Sequence, residues 1–222
     1  MSAPGACEVR TASPLVVLSE CRWPSGPDEQ PPPPLPGYVL SSFSPLVAAV
    51  ADGCLTEHYA QPSASAASRQ RTAVLLVSRG NDVVSAEHVR DKVASGRRVG
   101  PLFFFQAAPN SVVGQVTAHW GLGGPVVCIS PVGDPLADGM AEAALLLEDG
   151  DADEVLLILV EQGGDAADSA DRAHALLLST TEISTTEIST TEVGPASRGS
   201  SPPDPPVAAG VADHHQPEGI TQ

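Results

Sequence analysis

Basic residues are scarce in this chain of 222 residues. Eleven lysines and arginines stand against 27 aspartates and glutamates, and the net charge at pH 7 is -16. Because nucleic-acid phosphates require a basic surface, this balance argues against a nucleic acid as partner.

Long apolar runs are also missing. No run approaches the roughly twenty residues that a membrane span requires, so we expect no membrane partner. The opening MSAPGACEVR has no basic start followed by a long apolar segment, as a secretory signal would have. We therefore expect a cytoplasmic location.

Cysteine provides no recognisable metal site. The chain has four cysteines without a CxxC motif or a paired histidine spacing, and His214-His215 has too few companions. We predict no metal, no cofactor and reduced thiols. Cys54 falls on a predicted helix and Cys128 within a predicted strand, and we expect both to be small buried hydrophobes.

The most regular pattern begins at Pro109. Apolar residues recur at spacings of three and four up to Trp120, which predicts a helix, and Asn110-Ser111 could cap its start. A glycine-rich break follows, and then the run Val126 to Ser130, which is typical of a strand buried on both faces.

A second helix and strand complete the unit. Asp134-Pro135 is a cap and first-turn pair, the apolar stripe beyond it predicts a helix up to Gly150, and Val155 to Val160 predicts a buried strand. Strand, helix and strand at this spacing indicate a right-handed crossover. The predicted fold class is therefore α/β, with a mainly parallel sheet and helices on both faces.

Three zones divide the chain. Residues 1–42 hold one strand, Pro14 to Leu18, and a proline-rich loop at Pro31 to Pro34. Residues 43–163 are the predicted folded domain, and its remaining elements are a helix at 45–58, a strand at 72–78 and a helix at 85–95. Residues 164–222 are predicted to be a low-complexity, largely disordered tail with three STTEI or STTEV pentapeptides, preceded by a short helical turn at Ala173 to Leu178.

Residues 14–163 resemble the N-terminal half of β-ketoacyl synthases, which have the thiolase-like fold. The pair Gly124-Pro125 matches the pair that opens a strand in that family, and the family's catalytic cysteine comes nine residues after that glycine, which is Gly133 here. The turn Gly150-Asp151-Ala152-Asp153 lies seventeen residues beyond Gly133, as in the family. Further matches upstream are Pro109-Asn110, Gly114 and Gly121-Leu122.

Gly133 is the main departure from the family, because glycine has no side chain to acylate. The family's cysteine lies at a helix start, where amides and the helix dipole lower its pKa. The two histidines that support condensation come from the C-terminal half of a chain about twice as long, and no such pattern follows here. We therefore predict no catalytic residue for condensation, with Asp134 as a weak candidate acid or base.

Two groups of residues are candidates for binding a carrier-bound substrate. A locally basic segment contains Arg90, Lys92, Arg97 and Arg98. It is either an ordinary solvated helix face or a binding surface for an acidic acyl carrier protein and its phosphopantetheine arm. Phe104 lies among three consecutive phenylalanines. The resemblance places these near the substrate channel and subunit interface, whereas aromatics by default pack in a core or an interface.

Two functional classes follow from the resemblance. In the first, the chain is a non-catalytic ketosynthase-like subunit of polyketide or fatty-acid-type biosynthesis. It would pair with a ketosynthase, a complementary half or a second copy through the strand Val126 to Ser130. In the second, it is an enzyme of altered chemistry, such as a decarboxylase or acyltransferase acting on carrier-bound acyl groups, with Asp134 as acid or base.

Overall fold

A computed structural model describes residues 14–26, 30–62, 67–163 and 170–180. They all belong to one compact unit, Met1–Ile183, whereas the second unit, Ser184–Gln222, lies outside the described residues. The predicted disorder of the tail, Cys7, His214-His215 and nearly all of the pentapeptide region fall outside them as well.

Five strands of the described chain form one mixed sheet. They are β1 (Val16–Trp23), β2 (Thr72–Val77), β3 (Val126–Ile129), β4 (Glu154–Glu161) and β5 (Arg172–Ser179). Their order is β1-β5-β4-β2-β3. Strand β2 is parallel to β3 and β4, whereas β5 is antiparallel to both β4 and β1. The parallel half of the sheet carries the predicted α/β architecture.

Strand β5 corrects the prediction for the start of the tail. Ala173 to Leu178 form a strand between β1 and β4, not a helical turn. A short apolar run does not distinguish helix from strand by its own period, and here pairing with two neighbours decides. Leu177 and Leu178 are fully buried on opposite faces of the sheet. The folded domain therefore continues past the predicted boundary at residue 163.

Helices α1 (Phe43–Tyr59) and α4 (Pro109–Trp120) cover one face of the sheet. Their fully buried side chains include Phe43, Leu46, Leu55 and Trp120. Each buried leucine contributes about 1.5–3 kcal/mol relative to an exposed one, so this layer is a main source of stability.

The start of α4 differs from the predicted cap. Ala108 is the cap residue and provides no side-chain hydrogen bond, while Pro109 occupies the first turn, where an amide donor is not needed. Ser111 instead accepts a hydrogen bond of 3.2 Å from the Tyr38 hydroxyl. At the other end, Gly121 has φ of 69° and terminates the helix in the left-handed conformation.

Gly124 explains why a glycine precedes β3. A Cβ at this position would lie 2.6 Å from the carbonyl carbon of Thr72, so only glycine fits beside the start of β2. Beyond it, β3 is an edge strand with Val126 and Cys128 exposed. The prediction that this strand is buried on both faces is therefore wrong, because the face that carries Val126 and Cys128 is exposed and only Val127 and Ile129 pack against the core.

Helix α5 (Pro135–Glu148) covers the opposite face over β2 and β4. Its side chains Ala143, Leu146 and Leu147 pack against the sheet and are buried, whereas its side chains Leu136 and Leu145 are exposed. With α1 and α4 on one face and α5 on the other, the prediction of helices on both faces is confirmed.

Helices α2 (Val83–Ala94) and α3 (Pro101–Gln106) form the least covered part of the described chain. The carboxylate of Asp82 caps α2 by accepting from the Ser85 amide at 2.9 Å, so the helix begins at Val83, two residues before the predicted start at Ser85. Ser85 is the one buried residue of α2, and Gln106 is the one buried residue of α3. Their remaining side chains are exposed or half-buried.

Candidate functional site

The carboxyl ends of β2, β3 and β4 lie at one edge of the sheet, where ligands of α/β proteins commonly bind. The loop from β3 into α5 at this edge is residues 130–134, which we call the Gly133 turn. It is exposed except for the half-buried Pro131. The structure therefore places Gly133 at a helix start and beside the ends of parallel strands, as the resemblance implies for the nucleophile position.

Asp138, in the first turns of α5, closes the Gly133 turn. Its Oδ2 atom accepts hydrogen bonds of 2.9 Å from both the Val132 amide and the Gly133 amide. Both amides of the turn therefore already have a hydrogen-bond acceptor within the chain. Sequence reasoning missed Asp138, although an aspartate four residues after a helix cap could have indicated it.

Arg79 links the three loops at this edge. Its guanidinium donates to the Gly133 carbonyl oxygen at 2.7 Å, and its backbone amide donates to Glu161 Oε1 at 2.8 Å. Arg79 follows β2, Gly133 follows β3 and Glu161 ends β4, so one residue holds the ends of all three strands together. Sequence reasoning also missed this role, because the pattern places Arg79 only in a loop.

Asp134 is a helix cap in the structure. Its Oδ1 atom accepts from the Ala137 amide at 2.8 Å. The side chain also borders a concave region of about 540 Å³ whose other walls include Arg22, Leu159 and His174. The weak candidate acid or base is thus exposed beside a cleft, but its carboxylate already has a structural hydrogen bond.

Charged side chains line the sheet face next to α5. Glu20 Oε1 lies 2.5 Å from Arg22 Nε and 2.9 Å from His174 Nε2. The hydrogen bond from Arg22 lowers the pKa of Glu20, and burial lowers the pKa of His174. This part of the sheet therefore carries a cluster of three charged or titratable groups beside the apolar side chains Leu136 and Leu159.

The polar residues after β4 organise loops. Gln162 accepts from the Val83 amide at 2.9 Å and donates to the Ser41 hydroxyl at 2.9 Å. It thereby ties the start of α2 to the loop before α1. With Glu161 bound to the Arg79 amide, both residues have structural partners at this edge.

The four predicted carrier-binding basic residues differ in exposure. Arg90, Arg97 and Arg98 are exposed, whereas Lys92 is half-buried. In the part of the chain that the structure describes, none of the four side chains is in an ion pair. They lie on α2 and just after it.

Phe104 and Phe105 are more than half exposed, at 58% and 55%, together with Leu102 at 54%. We call these three residues of α3 the aromatic patch. Phe105 tilts against the Tyr38 ring at a centroid distance of 6.2 Å. Phe104 therefore does not pack inside the core of the described chain.

The cysteines differ in environment. Cys54 is buried, and burial raises the pKa of its thiol to about 11. Cys128 is exposed on β3, so the expectation that it is buried is wrong, although partial desolvation raises its pKa as well. Neither thiol is activated by its surroundings.

Within residues 14–26, 30–62, 67–163 and 170–180, no group of three or more histidine, cysteine, aspartate or glutamate residues could hold a metal ion. The same residues include no helix that is long and apolar enough to cross a membrane.

The family follows from comparison with known proteins. The family model described as β-ketoacyl synthase, N-terminal domain, matches residues 40–198. The chain belongs to this family. The match begins later than the predicted residue 14 and continues past residue 163, in agreement with the place of β5 in the sheet. A search of the curated proteins gives no match.

Solved structures confirm the N-terminal half of the thiolase-like fold. A structure of the ketosynthase ApeO in complex with its chain length factor ApeC from Xenorhabdus doucetiae matches with TM-score 0.58 and 21% identity over 74% of this chain and 78% of that chain. The ishigamide ketosynthase/chain length factor matches with TM-score 0.56 and 15% identity over 72% of this chain and 50% of that one. A β-ketoacyl synthase from Burkholderia phymatum STM815 matches with TM-score 0.51 and 15% identity over 62% and 41%, respectively.

The chain therefore spans half or less of two of these relatives. In contrast, the chain matched in the Xenorhabdus complex is close to this one in length, since 74% of the one aligns with 78% of the other.

Proposed function

We propose that the chain is a non-catalytic ketosynthase-like subunit of polyketide or fatty-acid-type biosynthesis that pairs with a ketosynthase. The observation that carries the proposal is the Gly133 turn. The residue at the helix start has no side chain, and the amides beside it are bound to Asp138. Covalent acyl transfer requires a nucleophile, and this position supplies none.

Pairing is supported by the edge strand β3. Val126 and Cys128 are exposed, and the edge of β3 away from β2 has no neighbouring strand in the described chain. Such an edge is a template for a strand from another chain. The exposed Leu136 and Leu145 of α5 and the aromatic patch add apolar surface that a partner would cover.

The titles of two similar structures support the kind of partner. Both pair a ketosynthase with a chain length factor, and the chain matched in one of them is of about this length. We therefore propose that a subunit of this size functions beside a full ketosynthase. An acyl carrier protein would approach the exposed Arg90, Arg97 and Arg98, whose positive charge suits an acidic surface.

The alternative is an enzyme of altered chemistry, a decarboxylase or acyltransferase that uses Asp134. The capping bond from Ala137 to Asp134 disfavours it, because that bond already explains the carboxylate. Purified protein would be incubated with malonyl carrier protein, and mass spectrometry would detect loss of carbon dioxide or acyl transfer. Turnover that disappears in Asp134→Ala would favour the alternative over the non-catalytic subunit.

The pairing proposal is tested by light scattering after size exclusion, with the chain alone and mixed with each ketosynthase from the same source organism. We expect a heterodimer that is lost in Val126→Arg combined with Cys128→Arg. Val17→Arg is the matched control, because Val17 is 49% exposed on the opposite edge strand β1. Monomers in every mixture, or equal loss in both variants, would contradict pairing through β3.

A further inference from the structure

We propose that Asp138 locks the Gly133 turn, so that the turn could not activate a thiol even if a cysteine were restored at position 133. This inference rests on the proposed function in one respect, namely that Gly133 occupies the position of the family's nucleophile. It adds that the backbone amides beside this position are already occupied by a carboxylate of the same chain.

The backbone amides of the Gly133 turn are hydrogen-bonded to Asp138. Asp138 Oδ2 accepts from the Val132 and Gly133 amides at 2.9 Å each. In acyl transfer, free backbone amides at such a position stabilise the oxyanion that forms on the substrate carbonyl. Here a carboxylate of the same chain occupies both donors, and an incoming oxyanion would have to displace it.

The negative charge of Asp138 would also affect a thiol at position 133. A Cβ built on Gly133 would lie 3.3 Å from Asp138 Oδ1, so a thiol there would be next to a carboxylate. A helix start lowers the pKa of a thiol, whereas a negative charge a few ångströms away raises it. The two influences on the thiol pKa therefore oppose each other.

The other charged groups around the turn do not remove this opposition. The Arg79 guanidinium donates to the Gly133 carbonyl and favours a thiolate, whereas the Asp134 carboxylate is bonded to the Ala137 amide and disfavours one. Glu161 is bonded to the Arg79 amide. One cation, Arg79, and three carboxylates therefore lie at or in the turn. Of the three carboxylates, Asp138 is the one that accepts hydrogen bonds from the Val132 and Gly133 amides.

The test compares Gly133→Cys alone with the same substitution combined with Asp138→Asn, Asp138→Ala or, as a matched control on the same helix, Glu142→Gln. Iodoacetamide is the probe: the thiolate sulfur displaces iodide and forms a carbon–sulfur bond. Peptide mass spectrometry gives the rate at residue 133 between pH 5 and pH 10, and circular dichroism confirms folding. Asparagine removes the charge but retains an acceptor, whereas alanine removes both.

We expect the thiol of Gly133→Cys to have an apparent pKa at or above about 8.5, the ordinary value for cysteine. Asp138→Asn should lower it by about one pH unit, which corresponds to alkylation roughly five to ten times faster at pH 7. Asp138→Ala should lower it at least as much, and Glu142→Gln should leave it unchanged. A thiol pKa already well below 8 in Gly133→Cys, or equal values for Asp138→Asn and Glu142→Gln, would overturn the proposal.

A second measurement needs no cysteine variant. In nuclear magnetic resonance spectra of the full chain, the Val132 and Gly133 amide protons should both exchange with solvent faster in Asp138→Ala, because both amides lose their acceptor. Glu142→Gln should leave both exchange rates unchanged, and exchange rates that do not respond to Asp138→Ala would overturn the proposal. Neither measurement involves a partner subunit, so failure of the pairing experiment and failure of this inference are distinguishable.

Discussion

Gly139 of α5 packs against Leu157 of β4 at a distance that leaves no room for a side chain. A Cβ at position 139 would lie 2.8 Å from Leu157 Cδ1 and 3.2 Å from Val77 Cγ2. This close approach sets how near α5 lies to the sheet, and therefore where the Gly133 turn sits at the sheet edge.

The first prediction concerns that contact. Gly139→Ala should lower the free energy of unfolding by roughly 1–3 kcal/mol, because an added methyl group overpacks the helix against the strand. Gly114→Ala is the control, since a Cβ there meets nothing within 4 Å and alanine favours a helix interior by roughly 0.5–1 kcal/mol. Urea unfolding measures both. Equal effects of the two substitutions would contradict the packing described for α5.

The second prediction separates the two roles considered for Asp134. Asp134→Ala should lower the free energy of unfolding by roughly 0.5–2 kcal/mol, because the Ala137 amide loses its acceptor. Asp134→Asn should retain most of the stability, since an amide oxygen also accepts from that position. Thermal unfolding of the two variants in parallel provides the comparison. An alanine variant as stable as the asparagine variant would show that the cap contributes nothing.

The third prediction is a pH dependence around His174. Burial lowers the pKa of His174 in the folded chain, so the unfolded chain binds more protons as the pH falls below about 6.5. The stabilisation is present above that value and is lost as the pH falls. The lowered pKa of Glu20 likewise makes the folded chain less stable as the pH falls, but at more acidic pH. There the carboxylate is protonated, and the stabilisation that depends on its charge is lost.

His174→Gln should therefore flatten the dependence of unfolding free energy on pH between pH 7 and pH 5. His119→Gln is the control, because that side chain lies on the surface of α4. Urea unfolding at a series of pH values would show the difference, and an unchanged slope in His174→Gln would contradict a lowered pKa of the half-buried His174.

Much of the fold was predictable from local patterns. The helix at Pro109–Trp120 has the predicted bounds, because its apolar spacing and its flanking proline and glycine are local signals. The start of α5 at Asp134-Pro135 was predictable for the same reason. Each of these features depends on residues within one turn of each other.

The wrong predictions concern features that depend on contacts between residues far apart in the sequence. β5 was predicted as a helical turn because its strand form depends on pairing with β4 and β1. The prediction that Cys128 is buried is wrong because its exposure depends on which distant parts of the chain pack on each face of β3. The roles of Asp138 and Arg79 depend on how the loops after separate strands meet, which spacing along the chain does not reveal.

We propose that a ketosynthase covers the exposed edge of β3, and Cys128 provides a probe on that edge. Alkylation of Cys128 would be measured with and without a ketosynthase from the same source organism. The buried Cys54, whose thiol pKa is raised to about 11, serves as the internal reference that stays unmodified in folded protein. The account predicts that Cys128 reacts in the isolated chain and is protected at least tenfold in the mixture, whereas equal reactivity in both would contradict it.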